Sequence, residues 1–431
     1  MKLALIDGEH YPDVNRWAIE KIKPCCAVFV GGTEKIGSIR DIEKALNIKV
    51  YHSPNIFEAL SKAISENNIT EVIDLSDEPV LTPNLRFRIA SYLLKLGITY
   101  KGADFEFRAK EWKKIDIPSI SIIGTGKRVG KTAIGGFVGR TLKELYKVVI
   151  VTMGRGGPEK PEVIRGDLME ITPEFLLKVS EEGKHAASDH FEDALTAGVI
   201  TVGCRRCGGG LAGFSFFDII DEGIEIAKSL NPDIIVFEGS GPTFPNVLAD
   251  GFITITSAIH GTEKIEQYFG PLRIGLADIV VVTMADSVSE EKLKRITQAI
   301  REINPEADIH LTRFVPRLIG EVDGKAIIAT TNPQSAKKFS EELEKMGIEV
   351  VYYTGNLAKR NILKDELAKV NYDDTAIVEL KAGAVDVVIR HAFSRGKRVV
   401  FLDNEPKNID GKDLKEAVIN LARRIVNDKG N

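Results

Sequence analysis

The segment Gly124-Thr-Gly-Lys-Arg-Val-Gly130-Lys131-Thr132 constrains this chain more than any other. It follows the apolar run Ile117–Ile123 and leads into a helix-forming stretch from Ala133. Strand, glycine-rich turn, Gly-Lys-Thr and helix together are the context a nucleotide phosphate loop requires. Glycines let successive backbone N–H groups curl around phosphate oxygens, and the helix N-terminus adds its partial positive charge. The pattern predicts a nucleoside triphosphate held by Gly124, Thr125, Gly126, Val129, Gly130, Lys131 and Thr132. Lys131 reaches the β- and γ-phosphates, and the Thr132 hydroxyl sits on Mg²⁺. One departure stands out: Thr125 occupies the place where the usual pattern has its first glycine, with Gly124 and Gly126 on either side. Replacing Lys131 is expected to abolish turnover and leave the fold intact.

A chain of 431 residues is long enough for two or three domains with a large buried core. Its formal net charge of −4 removes the simple electrostatic case for nucleic-acid binding. No run approaches the roughly 18 uninterrupted apolar residues of a membrane helix. Met1–Asp7 reads as a first β-strand rather than a signal peptide, and four cysteines make no disulfide framework. A cytoplasmic location is expected.

Apolar strands alternate with amphipathic helices almost throughout, which argues for parallel α/β architecture. Strands are expected at Leu3–Ile6, Ala27–Val30, Ile48–Tyr51 and Glu71–Leu75, making an N-terminal α/β domain over 1–110. A phosphate-loop core over 111–290 adds strands at Lys147–Thr152, Asp233–Glu238 and Asp278–Thr283. A C-terminal α/β region over 291–431 extends that core or packs on it. The fold class is therefore α/β, a phosphate-loop-type parallel sheet with helices on both faces, plus the N-terminal α/β domain.

Several further segments carry candidate chemistry. Ile234–Gly241 delivers Glu238 at the carboxyl end of an apolar strand, where it can hold Mg²⁺ opposite Thr132; a plain buried strand is the alternative. In Met153–Pro158, Arg155 and Gly156 combine a planar guanidinium fork with backbone freedom, a recipe for an anion site, though an ordinary loop fits equally. The Cys204-Arg205-Arg206-Cys207 run, flanked by glycines, raises zinc or redox chemistry, but neither the distant pair Cys25 and Cys26 nor His185 and His190 completes a zinc spacing. Its two arginines, side by side in a glycine-rich loop, can converge on a polyanion. Glu9 and His10 follow the first strand and can enter a ligand crevice, and Asp286 ends a strand where related folds recognise the base.

Together these motifs resemble the cyclic 2,3-diphosphoglycerate synthetases of methanogenic archaea, and the phosphate loop is also similar to that of dethiobiotin synthetases, which accept threonine at the Thr125 position. The resemblance spans the opening Leu5–Pro12, the phosphate loop, Met153–Pro158, Gly203–Gly210 and Glu238–Gly241. It implies an ATP- and Mg²⁺-dependent ligase that closes 2,3-diphosphoglycerate into a cyclic phosphoanhydride, a compatible solute of thermophilic methanogens, releasing ADP and phosphate. A monovalent cation is a further candidate cofactor, and a homodimer is suggested. On this reading Lys131, Lys127, Arg128 and Glu238 serve catalysis, Thr132 and Glu238 the metal, and Arg155, Gly156, Arg205, Arg206, Glu9 and His10 the substrate. Another dethiobiotin-synthetase-like ligase and a nucleotide-switch protein are the alternatives.

Overall fold

A computed structural model describes residues 1–35, 39–168, 171–182, 188–370, 374–380 and 384–430, which divide into two compact units. Unit 1 comprises Met1–Lys113, Thr262–Leu276 and Glu302–Asn304. Its strands are β1 (Lys2–Ile6), β2 (Cys26–Phe29), β3 (Lys49–Tyr51), β4 (Glu71–Asp74), β5 (Thr99–Lys101) and β6 (Glu106–Phe107), in the order β3-β2-β1-β4-β5-β6. All pairs are parallel except β5–β6. The order turns outward on both sides of β1, so the loops after β1 and β4 flank a crevice of the kind where open α/β sheets take ligands.

Unit 2 comprises Lys114–Gly261, Ala277–Arg301 and Pro305–Asn431. Its strands are β7 (Ser119–Gly124), β8 (Val148–Gly154), β9 (Glu162–Arg165), β10 (Ile200–Gly209), β11 (Ser215–Asp218), β12 (Ile234–Glu238), β13 (Gly251–Ser257), β14 (Ile279–Thr283), β15 (Asp308–Ile319), β16 (Ala326–Ala329), β17 (Val350–Thr354), β18 (Thr375–Glu379) and β19 (Arg398–Asn408). Among the described residues these form one sheet, ordered β11-β10-β8-β12-β7-β13-β14-β15-β19-β18-β16-β17 with β9 also on β10. The central run from β10 to β15 is parallel throughout. Strands β7, β8, β12, β13 and β14 are buried along their whole length, as the strands of a doubly covered parallel sheet are. Along β12, Ile234 and Val236 pack with residues of the helices Lys131–Leu142 and Leu414–Gly430, while Ile235 and Phe237 pack with those of Ile220–Ser229. Helices thus cover both faces, and the α/β phosphate-loop fold read from the sequence holds. The departures from parallel pairing are the edge strands β9 and β11 and the long β15–β19 pair.

Glycines set one helix–helix contact that matters for the site. In Lys131–Leu142, a methyl group at Gly136 would lie 2.6 Å from Thr196 Oγ1, and one at Gly139 would lie 2.7 Å from Ala197 Cβ. Their absence lets the helix Asp189–Ala197 close directly onto the phosphate-loop helix. Its last turn is then fixed by two guanidiniums: Arg140 Nη1 and Arg317 Nη2 donate to the Thr196 carbonyl at 2.7 and 2.9 Å. Both also hold the buried Asp403 carboxylate, at 3.0 and 3.1 Å. Asp403→Asn takes a charge-assisted partner from both guanidiniums, which keep Glu405 and the Thr196 carbonyl, so it should lower stability by about 1.5–3 kcal/mol. Guanidinium denaturation midpoints of the two proteins test this.

Candidate active site

The phosphate loop runs from the end of β7 to the first turn of Lys131–Leu142. Gly130 adopts φ 89° as the N-cap of that helix, and Arg128 is also left-handed at φ 58°. Neighbouring strands brace the loop from below. The Thr125 hydroxyl donates to Thr256 Oγ1 of β13 at 3.0 Å, its amide donates to the Ile255 carbonyl at 2.9 Å, and Thr283 of β14 donates to the Val129 carbonyl at 2.7 Å. Thr125 is thus a tie between loop and sheet. Lys127 and Arg128 are exposed on the outer curve, and Gly124 lies close to Gly241, so the Glu238–Gly241 turn borders the loop.

At the centre, Lys131 Nζ meets Glu238 Oε2 at 2.8 Å, with side chains 9% and 1% exposed. Gly135 makes this possible, since a methyl group there would stand 1.6 Å from Glu238 Oε1. Burial alone would push the Lys131 ammonium pKa down, but Glu238, Asp189 and Asp193 outweigh it and hold the pKa up. Asp193 lies wholly buried on Asp189–Ala197, with both oxygens lacking hydrogen-bond partners among the described residues. Burial, then the Glu238 carboxylate, raises its pKa well above the ordinary carboxylate range. Lys131 and Glu238 come together as the motifs predict. Asp189 and Asp193 escape a sequence reading, because two acids four apart on a helix look like a solvated face. Their signal is the helix start Ser188-Asp189, which places both on one side of the helix.

Next to this pair lies a cavity of about 610 Å³ lined by Arg155, Gly156, Arg205, Arg206, Glu162 and His190 among others. Arg205 and Arg206 do not sit in a loop, as the glycine-rich sequence suggests, but in β10, where neighbouring side chains leave opposite faces. Both still reach the cavity at the carboxyl end of the strand. Arg205 Nε donates to the Gly157 carbonyl at 3.0 Å, and Arg206 Nη2 to the Ser240 carbonyl at 2.8 Å. Arg206 thereby links the cavity to the turn that follows Glu238. Burial, then the adjacent Arg155, pushes the Arg206 pKa down. Cys204 points into the core, where burial pushes its thiol up to about 12, whereas Cys207 is exposed. His185 lies outside the described residues, and His190 lines the arginine cavity.

Thr132 and Glu238 supply hard oxygen donors suited to Mg²⁺, which ordinarily takes one or two carboxylates and completes its shell with phosphate and water. No group of three acids, histidines or cysteines among the described residues is arranged to hold a metal by itself. Asp286 is engaged by Lys338. Glu9 and His10 stand in unit 1: His10 Nδ1 lies 2.7 Å from the buried Asp7 carboxylate and Nε2 lies 3.4 Å from Asp77. No helix among the described residues is long and apolar enough to cross a membrane.

Three family descriptions of cyclic 2,3-diphosphoglycerate synthetase match the chain: the N-terminal domain over residues 2–108, the P-loop domain over 119–313 and the C-terminal domain over 318–405. The chain belongs to the cyclic 2,3-diphosphoglycerate synthetase family. Relatives bearing that name include proteins of Pyrococcus horikoshii, 72% identical over 100% of this chain and 98% of that one, and Pyrococcus abyssi, 70% identical over the whole of both. A methanogen relative, from Methanothermus fervidus, is 42% identical over 99% of this chain and 97% of its own. The solved structure of LpxK from Aquifex aeolicus in complex with ATP aligns at TM-score 0.46 and 15% identity, over 79% of this chain and 96% of that one. Membership in an enzyme family with a P-loop domain makes this a nucleotide-binding enzyme, and the dethiobiotin-type and switch alternatives are not favoured.

The Asp193 carboxyl gives a pH test with a definite sign. Its folded pKa is raised from the ordinary 3.8, so its contribution to stability is present below that value and is lost as pH rises toward the folded pKa. Asp193→Asn removes this loss. Its melting temperature relative to wild type should therefore rise as pH increases from about 4 to 8; a constant difference across that range contradicts the assignment.

Proposed function

We propose that this protein is an ATP- and Mg²⁺-dependent ligase that converts 2,3-diphosphoglycerate to its cyclic phosphoanhydride, ADP and phosphate. The observation that carries the reading is the link between two sites of opposite need. An arginine cavity suited to a polyanion is hydrogen-bonded, through Arg206 and Ser240, to the turn whose Glu238 pairs with the phosphate-loop lysine. Family membership supports 2,3-diphosphoglycerate as that polyanion.

Joining two phosphates of one molecule requires one to be activated. Phosphoryl transfer from ATP makes it a diphosphate, and the second phosphate then attacks the inner phosphorus and expels inorganic phosphate. Both steps press anions together, so positioning and charge neutralisation dominate catalysis. Lys131, with Lys127 and Arg128, faces the nucleotide; Arg155, Arg205 and Arg206, with the Gly156 backbone, face the substrate. Mg²⁺ at Thr132 and Glu238 supplies further positive charge at the phosphates. Asp286 at the base, a monovalent cation, a homodimer in the cytoplasm and the division at 110 and 290 complete the proposal.

The ion pair changes the design of the lysine test. Lys131→Ala leaves Glu238 as a buried carboxylate without its lysine, so it should destabilise the protein as well as inactivate it, by about 3–5 kcal/mol. Adding Glu238→Gln should recover most of that stability and none of the turnover, which melting curves and ADP release read separately. For the substrate side, Arg205→Ala and Arg206→Ala should each reduce 2,3-diphosphoglycerate binding or turnover roughly ten- to a hundredfold, since a charge-assisted contact contributes about 1.5–3 kcal/mol. ATP affinity should stay near wild type. Phosphorus NMR should show one cyclic product per ATP consumed by wild-type protein; ATP splitting without that product rules the function out.

A further inference from the structure

Along the wall of the arginine cavity, three side chains form a hydrogen-bonded row. Ser188 Oγ lies 3.1 Å from His190 Nδ1, and His190 Nε2 lies 3.3 Å from Glu162 Oε2. All three line the cavity with Arg155, Arg205 and Arg206. Ser188 holds the N-cap position of Asp189–Ala197 yet makes no side-chain cap bond, because its hydroxyl is engaged by the histidine. The buried ring is fixed on two sides. It tilts against Phe191 with centroids 4.3 Å apart, and a methyl group at Gly203 would come within 2.5 Å of it.

This row has two hydrogen-bonding states. In neutral imidazole with its proton on Nε2, Glu162 accepts from Nε2 and the bare Nδ1 accepts the Ser188 O–H. The serine then offers the cavity only lone pairs, which repel an anion. In imidazolium both ring nitrogens donate, to Glu162 and to Ser188 Oγ, and the serine proton is released toward the cavity. One proton on His190 converts Ser188 from acceptor to donor.

We propose that His190 is a positioning residue that takes up a proton as 2,3-diphosphoglycerate binds and thereby turns the Ser188 hydroxyl onto a substrate phosphate. This rests on the reading that the arginine cavity holds that substrate. Among the described residues, the charged and titratable groups that line the cavity with His190 are Glu162 from β9, Arg205, Arg206 and Cys207 from β10, and Arg155 and Glu159 from the segment after β8. Substrate phosphates bring negative charge into this cavity, which favours imidazolium in the bound state.

Titration calorimetry of the full-length protein at pH 8, in buffers of different ionisation enthalpy, tests the proposal. Wild type should take up about one proton more per 2,3-diphosphoglycerate bound than His190→Gln does, since protonation of the substrate itself is common to both. Glu162→Gln, which leaves the ring and its packing in place, should lower the uptake in the same direction. Ser188→Ala should weaken substrate binding about tenfold, and ATP affinity should be unchanged in all three, which also reports that they fold. Equal proton uptake by wild type, His190→Gln and Glu162→Gln, with 2,3-diphosphoglycerate still bound, overturns the proposal alone. Failure of wild type to bind 2,3-diphosphoglycerate overturns both the proposal and the substrate assignment beneath it.

Discussion

The buried contact between Lys131 and Glu238 is the interaction around which the rest of unit 2 is arranged. Withdrawing two charges from water costs several kcal/mol each, and only close pairing offsets it. The chain meets that requirement by leaving out side chains. Gly135 opens space for the carboxylate, and Gly239 lets its turn fold back until a methyl group there would collide with the Thr243 carbonyl. A third group also responds: Asp193 shares the enclosure and is driven toward its neutral form. The site therefore holds its cation in an excess of carboxyl groups. An ammonium has three donors, so a phosphate can join Glu238 at Lys131 rather than evict it. Two anions on one nitrogen still repel, which is where a divalent cation has its use.

The phosphate loop was legible because its determinants are local: an apolar strand, glycines and a helix start within one short segment. The strand β13 was not read, although it lies beside the loop. Its sequence Gly-Phe-Ile-Thr-Ile-Thr-Ser alternates apolar and hydroxyl residues, the pattern of a half-exposed strand, yet every position is buried. The hydroxyls are internal fittings, as Thr256 shows by accepting from Thr125. The Cys-Arg-Arg-Cys run misled in the opposite direction. Its glycines read as a loop, whereas pairing with β8 and β11 makes it a strand. The chemistry of its arginines was visible, but their divergence on a pleated strand was not. Asp189, Asp193 and the role of His190 depended on a helix brought in by Gly136 and Gly139, a long-range contact that no single segment announces.

The division of charge explains how a protein of net charge −4 handles polyanions. Positive charge is concentrated where the strands end: Lys131 is paired with Glu238, whereas Arg155, Arg205 and Arg206 line the cavity, the last two held by backbone carbonyls. Hydrogen bonds from Arg205 and Arg206 to carbonyls fix direction without neutralising the guanidinium, so the field remains available to a ligand.

The glycine-lined face of Lys131–Leu142 has a consequence for how such a protein withstands heat. Replacing helical glycine by alanine is a common means of stiffening a helix, because it narrows the freedom of the unfolded chain. That route is closed here: at Gly135, Gly136 and Gly139 the added carbon would strike Glu238, Thr196 or Ala197. The helix that carries the phosphate loop must keep a low intrinsic propensity, and its rigidity has to be imported. Arg140 fastens it to Asp403 and Glu405, and its apolar side is clamped by Leu414–Gly430. Durability at the active centre is in this sense borrowed from the far C-terminal part of the chain, so a truncation there would loosen nucleotide chemistry performed nearly three hundred residues earlier in the sequence.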